Sequence, residues 1–393
     1  MQTLKLSFLA HASGPVRLKD YGMVVWLECA VVLIISFGIN LIFMRKDVSG
    51  WLQLTRSCDL GAVQSAHLVQ TPRLGGISVV IAASFGLWIF PPEGYESVLL
   101  IFLIALLPVF IAGAKEDICG NVSPRSRLLA AAFSSILTIF FFGVYVTKTD
   151  LYGLDWALGF SIFGFAFTVL LASGLCHAFN LIDGVNGLCG ITSILTLGGL
   201  LSVGYATGDS AITGHVVLII PAILGFFILN WPFGKIFLGD AGAYTIGHAC
   251  AWLGIFLLER NADVAGTAIA LLFFWPIADT FFAIYRRKRA GRPIGQPDRL
   301  HFHQLVMRGL EIMFLGRKNR KLSNPLTAIV LLLPIAAPVL AGVLFWDKPF
   351  EAGLALLAFS ILFVLSYVWG VKVAQNWPFN MQKFGVSSLQ KSV

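Results

Sequence analysis

Residues 158–190 read LGFSIFGFAFTVLLASGLCHAFNLIDGVNGLCG. The first part is an apolar run long enough to cross a bilayer as a helix, and the first charged residue, Asp183, comes only after it ends. His177, Asn180, Asp183 and Asn186 follow one another at intervals of three, so neighbours in the series share a face if the helix continues. Gly184, Gly187 and Gly190 let the chain bend or let a ligand approach the backbone. Taken alone, Asn and Asp followed by Gly also make an ordinary helix-ending turn. The rest of the chain repeats the pattern of apolar run and polar island. Hydrophobic residues make up 57% of 393 positions and charged residues 12%, with a mean hydropathy of +0.83. A soluble fold cannot hide that much apolar surface, which predicts an all-α, polytopic membrane helix bundle.

Apolar runs at roughly 21–44, 75–92, 96–114, 127–147, 158–177, 187–205, 211–230, 241–258, 263–284, 325–346 and 350–372 predict about 10–11 transmembrane helices. With the loop 45–73 inside and the sides alternating, the inside segments collect 22 of the 28 Lys and Arg. That asymmetry predicts a cytoplasmic face carrying the catalytic loops, the densest being 285–324. The net charge of +8 follows from the same rule and gives no reason to invoke nucleic acid. No internal repeat is visible, and the whole of 1–393 reads as a single membrane domain with its transmembrane core at about 21–372. The first twenty residues have no uninterrupted apolar core and predict no removable signal peptide. The six cysteines form no CxxC pair and read as packing residues.

Five polar islands stand at the predicted cytoplasmic ends. The first, Thr71-Pro72-Arg73-Leu74-Gly75-Gly76 with His67 ahead of it, can hold a phosphate on Arg73 or can be a plain membrane-entry turn. The second sets Glu116 beside Asp117, ahead of Arg125 and Arg127. Adjacent carboxylates at a bilayer surface need a cationic partner, and Mg²⁺ is the hard ion that suits oxygen ligands. The third is the opening stretch. The fourth, Asn230 to Gly242, carries Phe237 and places Asp240 among glycines at a helix start, where a carboxylate is either an N-cap or a metal ligand. In company with Asp117 and Asp183, the metal reading is preferred. In the fifth, RRKRAGRPIGQPDRLHFHQLVMRG from Arg286, the basic cluster anchors topology. Asp298, Arg299, His301 and His303 bring phosphate donors or general acids. Two His at i and i+2 cannot share a helix face but can enter one site from a strand or loop. Glu28, His215, His248 and Asp279 lie within spans and read as paired helix contacts. Several carboxylates, basic phosphate binders and no nucleophilic Ser or Cys motif together describe metal-assisted phosphoryl transfer with a lipid-borne partner.

The ordered motifs TPRLGG, GAKED, NLIDGVNGL, FLGDAGA and DRLHFHQ resemble those of the polyprenyl-phosphate N-acetylhexosamine-1-phosphate transferases, over about residues 20–375. The resemblance implies transfer of a sugar 1-phosphate from a UDP-N-acetylhexosamine to undecaprenyl phosphate, with UMP released and Mg²⁺, or Mn²⁺ in its place, as cofactor. It implies a multi-pass protein of the bacterial inner membrane, in contact with membrane lipid and able to form a homodimer, that starts a cell-surface polysaccharide. Carried over by position, Asp117, Glu116, Asp183, His301 and His303 are catalytic, and Asp240 with Asp117 binds metal. Arg73, Arg127, Asn180, Gly184, Asn186, Asn230, Phe237 and Arg299 bind substrate. The chain departs from the pattern at Glu116 for Asp, His177 for Asn, Asn186 for Asp and Gln304 for His. The rival readings are a lipid-linked sugar transporter or flippase, for which ionisable residues at mid-membrane would be expected, and a catalytically inactive relative.

Overall fold

The computed structural model describes residues 22–45, 71–92, 95–291, 293, 300–316 and 319–376. Among these there is no strand, and the helices in chain order are α1 (Met23–Phe43), α2 (Gly75–Ile89), α3 (Glu96–Cys119), α4 (Pro124–Phe142), α5 (Tyr152–Leu158), α6 (Ser161–Ile182), α7 (Leu188–Thr207), α8 (Ser210–Asn230), α9 (Gly239–Arg260), α10 (Gly266–Leu272), α11 (Phe274–Arg289), α12 (Phe302–Leu310), α13 (Arg320–Leu344) and α14 (Pro349–Asn376). Each of the eleven apolar runs is helical, and the protein is an all-α polytopic membrane bundle.

The span count differs from the sequence expectation at two places. Among the described residues nine helices are long and apolar enough to cross a membrane, and a tenth is the pair α10 and α11, bent by 81°. The second run yields only the 15-residue α2, because Pro91 and Pro92 stop it just after Ile89. The break between α10 and α11 has an equally local cause. Pro276, in the first turn of α11, has no N–H, and in a continuous helix its ring would meet the carbonyl of Leu272. That carbonyl instead accepts the Thr196 hydroxyl of α7 at 3.1 Å.

α9 is the central helix, buried over 94% of its most apolar window and packed against α2, α3, α6 and α7. Its sequence opens GDAGAYTIGHACA, and small residues let neighbouring backbones close in where lipid gives helices no hydrophobic drive to associate. A Cβ on Gly76 would lie 2.1 Å from Gly242 Cα, and one on Gly113 would lie 2.7 Å from Ala241 Cα. At the far end of α9, Arg260 grips Asp209 with Nε at 2.8 Å and Nη2 at 3.2 Å, while Asn261 Nδ2 donates to the same carboxylate at 3.0 Å. Asp209 also caps α8 through the Ile212 N–H, and Arg260 Nη2 reaches the Tyr95 hydroxyl beside α3.

Both side chains of the Arg260–Asp209 pair are almost wholly buried. Arg260→Ala would leave an uncompensated buried carboxylate and is expected to cost about 3–5 kcal/mol. The check is the thermal midpoint of the purified protein in detergent, and an unchanged midpoint would contradict this account of how α9 is held.

Candidate active site

The islands meet at the end of the bundle where α3, α6 and α8 finish and α4, α7 and α9 begin. Backbone pairing brings the first and fourth together. Phe237 N–H donates to Pro72 O at 2.8 Å, Gly75 N–H to Phe237 O at 2.9 Å, and Gly76 N–H to Leu238 O at 2.8 Å. This hangs Arg73 over the start of α9. Gly239 makes the turn with φ +76, and a Cβ there would lie 2.5 Å from Arg73 O and 2.6 Å from Asp117 Oδ2. The backbone sign and the crowding both require glycine.

Asp117, in the last turn of α3, accepts the Asp240 N–H at 2.9 Å and the Ala241 N–H at 2.8 Å. It thus satisfies two of the amides that a helix start leaves without an internal partner, at the positive end of the helix dipole. Arg73 Nε sits 3.2 Å from the same carboxylate. Arg73 then forks, its Nη2 donating to Asp240 Oδ1 at 2.8 Å. Arg127 Nη1 takes Asp240 Oδ2, and Asn180 Nδ2 donates to Oδ1 at 3.1 Å. Arg127 is placed by the start of α4, where Ser123 caps the Ser126 N–H at 3.1 Å and Pro124 occupies the first helical position.

Asp183 follows the last residue of α6, and its half-buried carboxylate makes no hydrogen bond among the described residues. Burial pushes it up to about 7, with Arg73 pulling it down and Asp240 raising it further. Glu116 is turned elsewhere: its Oε2 accepts the Val122 N–H at 2.8 Å and closes the loop after α3.

His301 and His303 do converge, their rings stacked at 5.8 Å with 16° between planes. Between them Phe302 turns away into the aromatic cluster of Trp275 and Phe363, at 5.2 and 5.1 Å. His303 is buried with both ring nitrogens unpartnered among the described residues, against Gly184, whose added Cβ would lie 2.3 Å from Nε2. Burial lowers His303 to about 4, against the opposing pull of Asp279 and with a further push from His301. The ring is therefore neutral near pH 7.

Other expected site residues serve as framework. Asn230 is buried, accepts the Gly187 N–H at 2.7 Å and donates to Ile236 O at 2.8 Å, so both ends of its amide are spent on backbone. Asn186 donates its own N–H to Asn324 Oδ1 at 2.7 Å and directs Nδ2 to Pro232 O at 3.4 Å, and its buried Oδ1 has no partner among the described residues. Phe237 is nearly buried in the loop beneath Arg73. At the substituted position, His177 Nδ1 meets the Tyr244 hydroxyl at 3.3 Å. Arg299, Asp298 and His67 lie outside the described residues.

Two features escaped the sequence reading. Asp279, on α11, pairs with His301 Nδ1 at 2.8 Å and accepts the Phe302 N–H at 2.9 Å. Its only signal was an ionisable residue in an apolar span, which needs a partner. His248 does make a helix contact, with Cys176 Sγ at 3.3 Å, whereas His215 turns back on Ala211 O of its own helix at 2.6 Å. The second feature is the start of α13. Asn324 holds Asn186, and Trp231 Nε1 donates to Pro325 O at 3.1 Å.

The donor chemistry suits Mg²⁺ of the open kind, with oxygen ligands from one or two carboxylates and the other positions left to water and phosphate. Asp117 accepts one backbone amide on each oxygen and keeps lone pairs on both, and Asp240 is held by side-chain donors, so both carboxylates retain acceptor capacity for an ion. Among the described residues no three His, Cys, Asp or Glu close into a metal cage.

Residues 99–258 match the model of glycosyl transferase family 4. The chain is 27% identical over 355 residues to the undecaprenyl-phosphate alpha-N-acetylglucosaminyl 1-phosphate transferase of Yersinia pestis, covering 88% of this chain and 92% of that protein. It is 27% identical to the Salmonella typhi protein of the same name, covering 80% and 82%. A probable undecaprenyl-phosphate N-acetylglucosaminyl 1-phosphate transferase of Bacillus subtilis is 26% identical, covering 74% and 79%. The matched segment runs from α3 through α9 and contains Asp117, Asp183 and Asp240, so the likeness to glycosyl transferase family 4 falls on the part of the chain that carries these carboxylates.

Proposed function

We propose that this chain transfers an N-acetylhexosamine 1-phosphate from a UDP-N-acetylhexosamine to polyprenyl phosphate, undecaprenyl phosphate by the names of its relatives. The observation that carries the reading is Asp240 at the first turn of α9, ringed by Arg73, Arg127 and Asn180, at the end of a membrane bundle. A phosphate oxygen of the lipid attacks the β-phosphorus of the donor. A new P–O–P linkage forms, the bond from that phosphorus to the bridging oxygen breaks, and the oxygen leaves on UMP. The lipid product is polyprenyl-diphosphate-sugar, the start of a cell-surface polysaccharide made at the cytoplasmic face of a bacterial inner membrane.

Little covalent help is needed, and the residues present divide the electrostatic work. Arg73 and Arg127 supply the positive charge that meets the donor diphosphate. Asn180 fixes the Asp240 carboxylate, and Asp117 fixes the helix start from which it projects. Mg²⁺, or Mn²⁺ in its place, would be held by Asp240 with Asp117 and would neutralise charge on the diphosphate. Asp183 is the carboxylate free to take a proton from the lipid phosphate. A phosphate monoester's second ionisation lies at about pH 6. A carboxyl raised to about 7 is matched to that exchange. The relatives' names and the crowding of carboxylates at one end of the bundle favour this chemistry over a transporter.

Purified protein given undecaprenyl phosphate, a panel of UDP-N-acetylhexosamines and Mg²⁺ is expected to release UMP, and EDTA to abolish the release. Asp240→Ala is expected to lower turnover by about 100-fold or more. Release that needs no lipid, or an Asp240→Ala protein of normal turnover, would sink the assignment.

The pH dependence follows from Asp183. Its carboxyl is raised, so the useful carboxylate is present above about pH 7 and lost as pH falls through that value. From pH 8 to 6 the ionised fraction drops from about nine-tenths to about one-tenth. kcat is expected to follow it down, and Asp183→Asn to leave a low, flat profile. A wild-type profile flat across this window would remove the base role.

A further inference from the structure

Asp279 sits on α11 and is 3% exposed. A carboxylate there needs donors for both oxygens. It has them: His301 Nδ1 at 2.8 Å on Oδ2 and the Phe302 N–H at 2.9 Å on Oδ1. Phe302 opens α12, so the second bond satisfies an amide that the helix start leaves without an internal partner. One side chain therefore fixes both the backbone where α12 begins and the imidazole just before it.

The first bond also decides the tautomer. An acidic oxygen can only accept, so His301 Nδ1 must carry the proton, and Nε2 is left as the atom that can meet a ligand. His301 Nε2 is buried and has no partner among the described residues, and the same holds for both nitrogens of the stacked His303. His303 in turn lies against Gly184, next to Asp183. Three unsatisfied ring nitrogens in a dry corner of the cleft point to a polar ligand that satisfies them.

We infer that Asp279 is a positioning residue of this site: it pins His301 in the Nδ1–H tautomer and turns Nε2 toward the polar head of the donor substrate beside Gly184. It acts through His301 and touches no reacting atom. The assignment rests on the transferase reading above.

Asparagine at this position tests the idea sharply, because with Oδ1 kept on the Phe302 N–H its Nδ2 can only donate to His301 Nδ1, which favours the opposite tautomer. The experiment is a double-mutant cycle in kcat/KM for UMP release, using wild type, Asp279→Asn, His301→Gln and the double variant, with thermal midpoints recorded for each. Asp279→Asn is expected to cost roughly 10- to 100-fold in the wild-type background and less than about twofold where His301 is already Gln. Asp279→Glu, which keeps two acceptor oxygens, is expected to retain more activity than Asp279→Asn. It remains informative if the Asn variant folds poorly.

Equal losses from Asp279→Asn in both backgrounds would mark a purely structural contact and overturn the inference while leaving the transferase intact. Full activity of Asp279→Asn would do the same. Absence of UMP release from well-folded wild type with every donor would overturn both.

Discussion

The backbone amides of Asp240 and Ala241, at the buried start of α9, are satisfied by a single carboxylate from another helix, Asp117. Without it the most buried helix of the protein would begin on unpaired donors at the positive end of its own dipole. The same carboxylate attracts Arg73, and Arg73 continues to Asp240, so one helix-capping contact sets the order of charges in the cleft. The order of charges thus follows from how α9 begins, and it cannot be altered at Asp117 without loosening α3 against α9.

That contact is possible because the surrounding backbones can approach it. Gly76 against Gly242, Gly113 against Ala241 and Gly239 against Arg73 leave no room for a Cβ, which draws α2, α3 and α9 together at one end. At the other end the packing is polar, with Arg260, Asp209, Asn261 and Tyr95 in a buried network. Small residues and a satisfied ion pair at opposite ends hold the same helix, and lipid supplies neither force.

The cleft has two walls of different character. On one side, Arg73 and Arg127 are drawn onto Asp240 and present strong positive charge. On the other, the His301 and His303 rings are braced from behind by Asp279 and by the aromatic cluster around Phe302. Asp183 lies between, without a hydrogen bond among the described residues, and Gly184 beside it gives the histidine wall its close approach. At the substituted positions, His177 Nδ1 meets the Tyr244 hydroxyl and Asn186 Nδ2 turns to Pro232 O.

By itself the sequence determined the class of the protein. Runs of apolar residues without charge must be helical in a bilayer, and all eleven are helical. Polar islands at the ends of such runs have few places to go, and Arg73, Asp117, Asn180, Asp183, Asp240, His301 and His303 do gather. Tertiary structure alone decided what each does there. Asp117 and Asp240 look alike in the sequence, yet one accepts two backbone amides and the other is held by side chains. Asn230 is spent on two loops, Glu116 on its own turn, and Asp279, set aside as a span contact, is the brace behind His301. The reason is physical: composition and spacing fix where backbone must be helical, whereas the partner of a polar atom is chosen by contacts between residues distant in the chain. Such contacts leave no periodic trace.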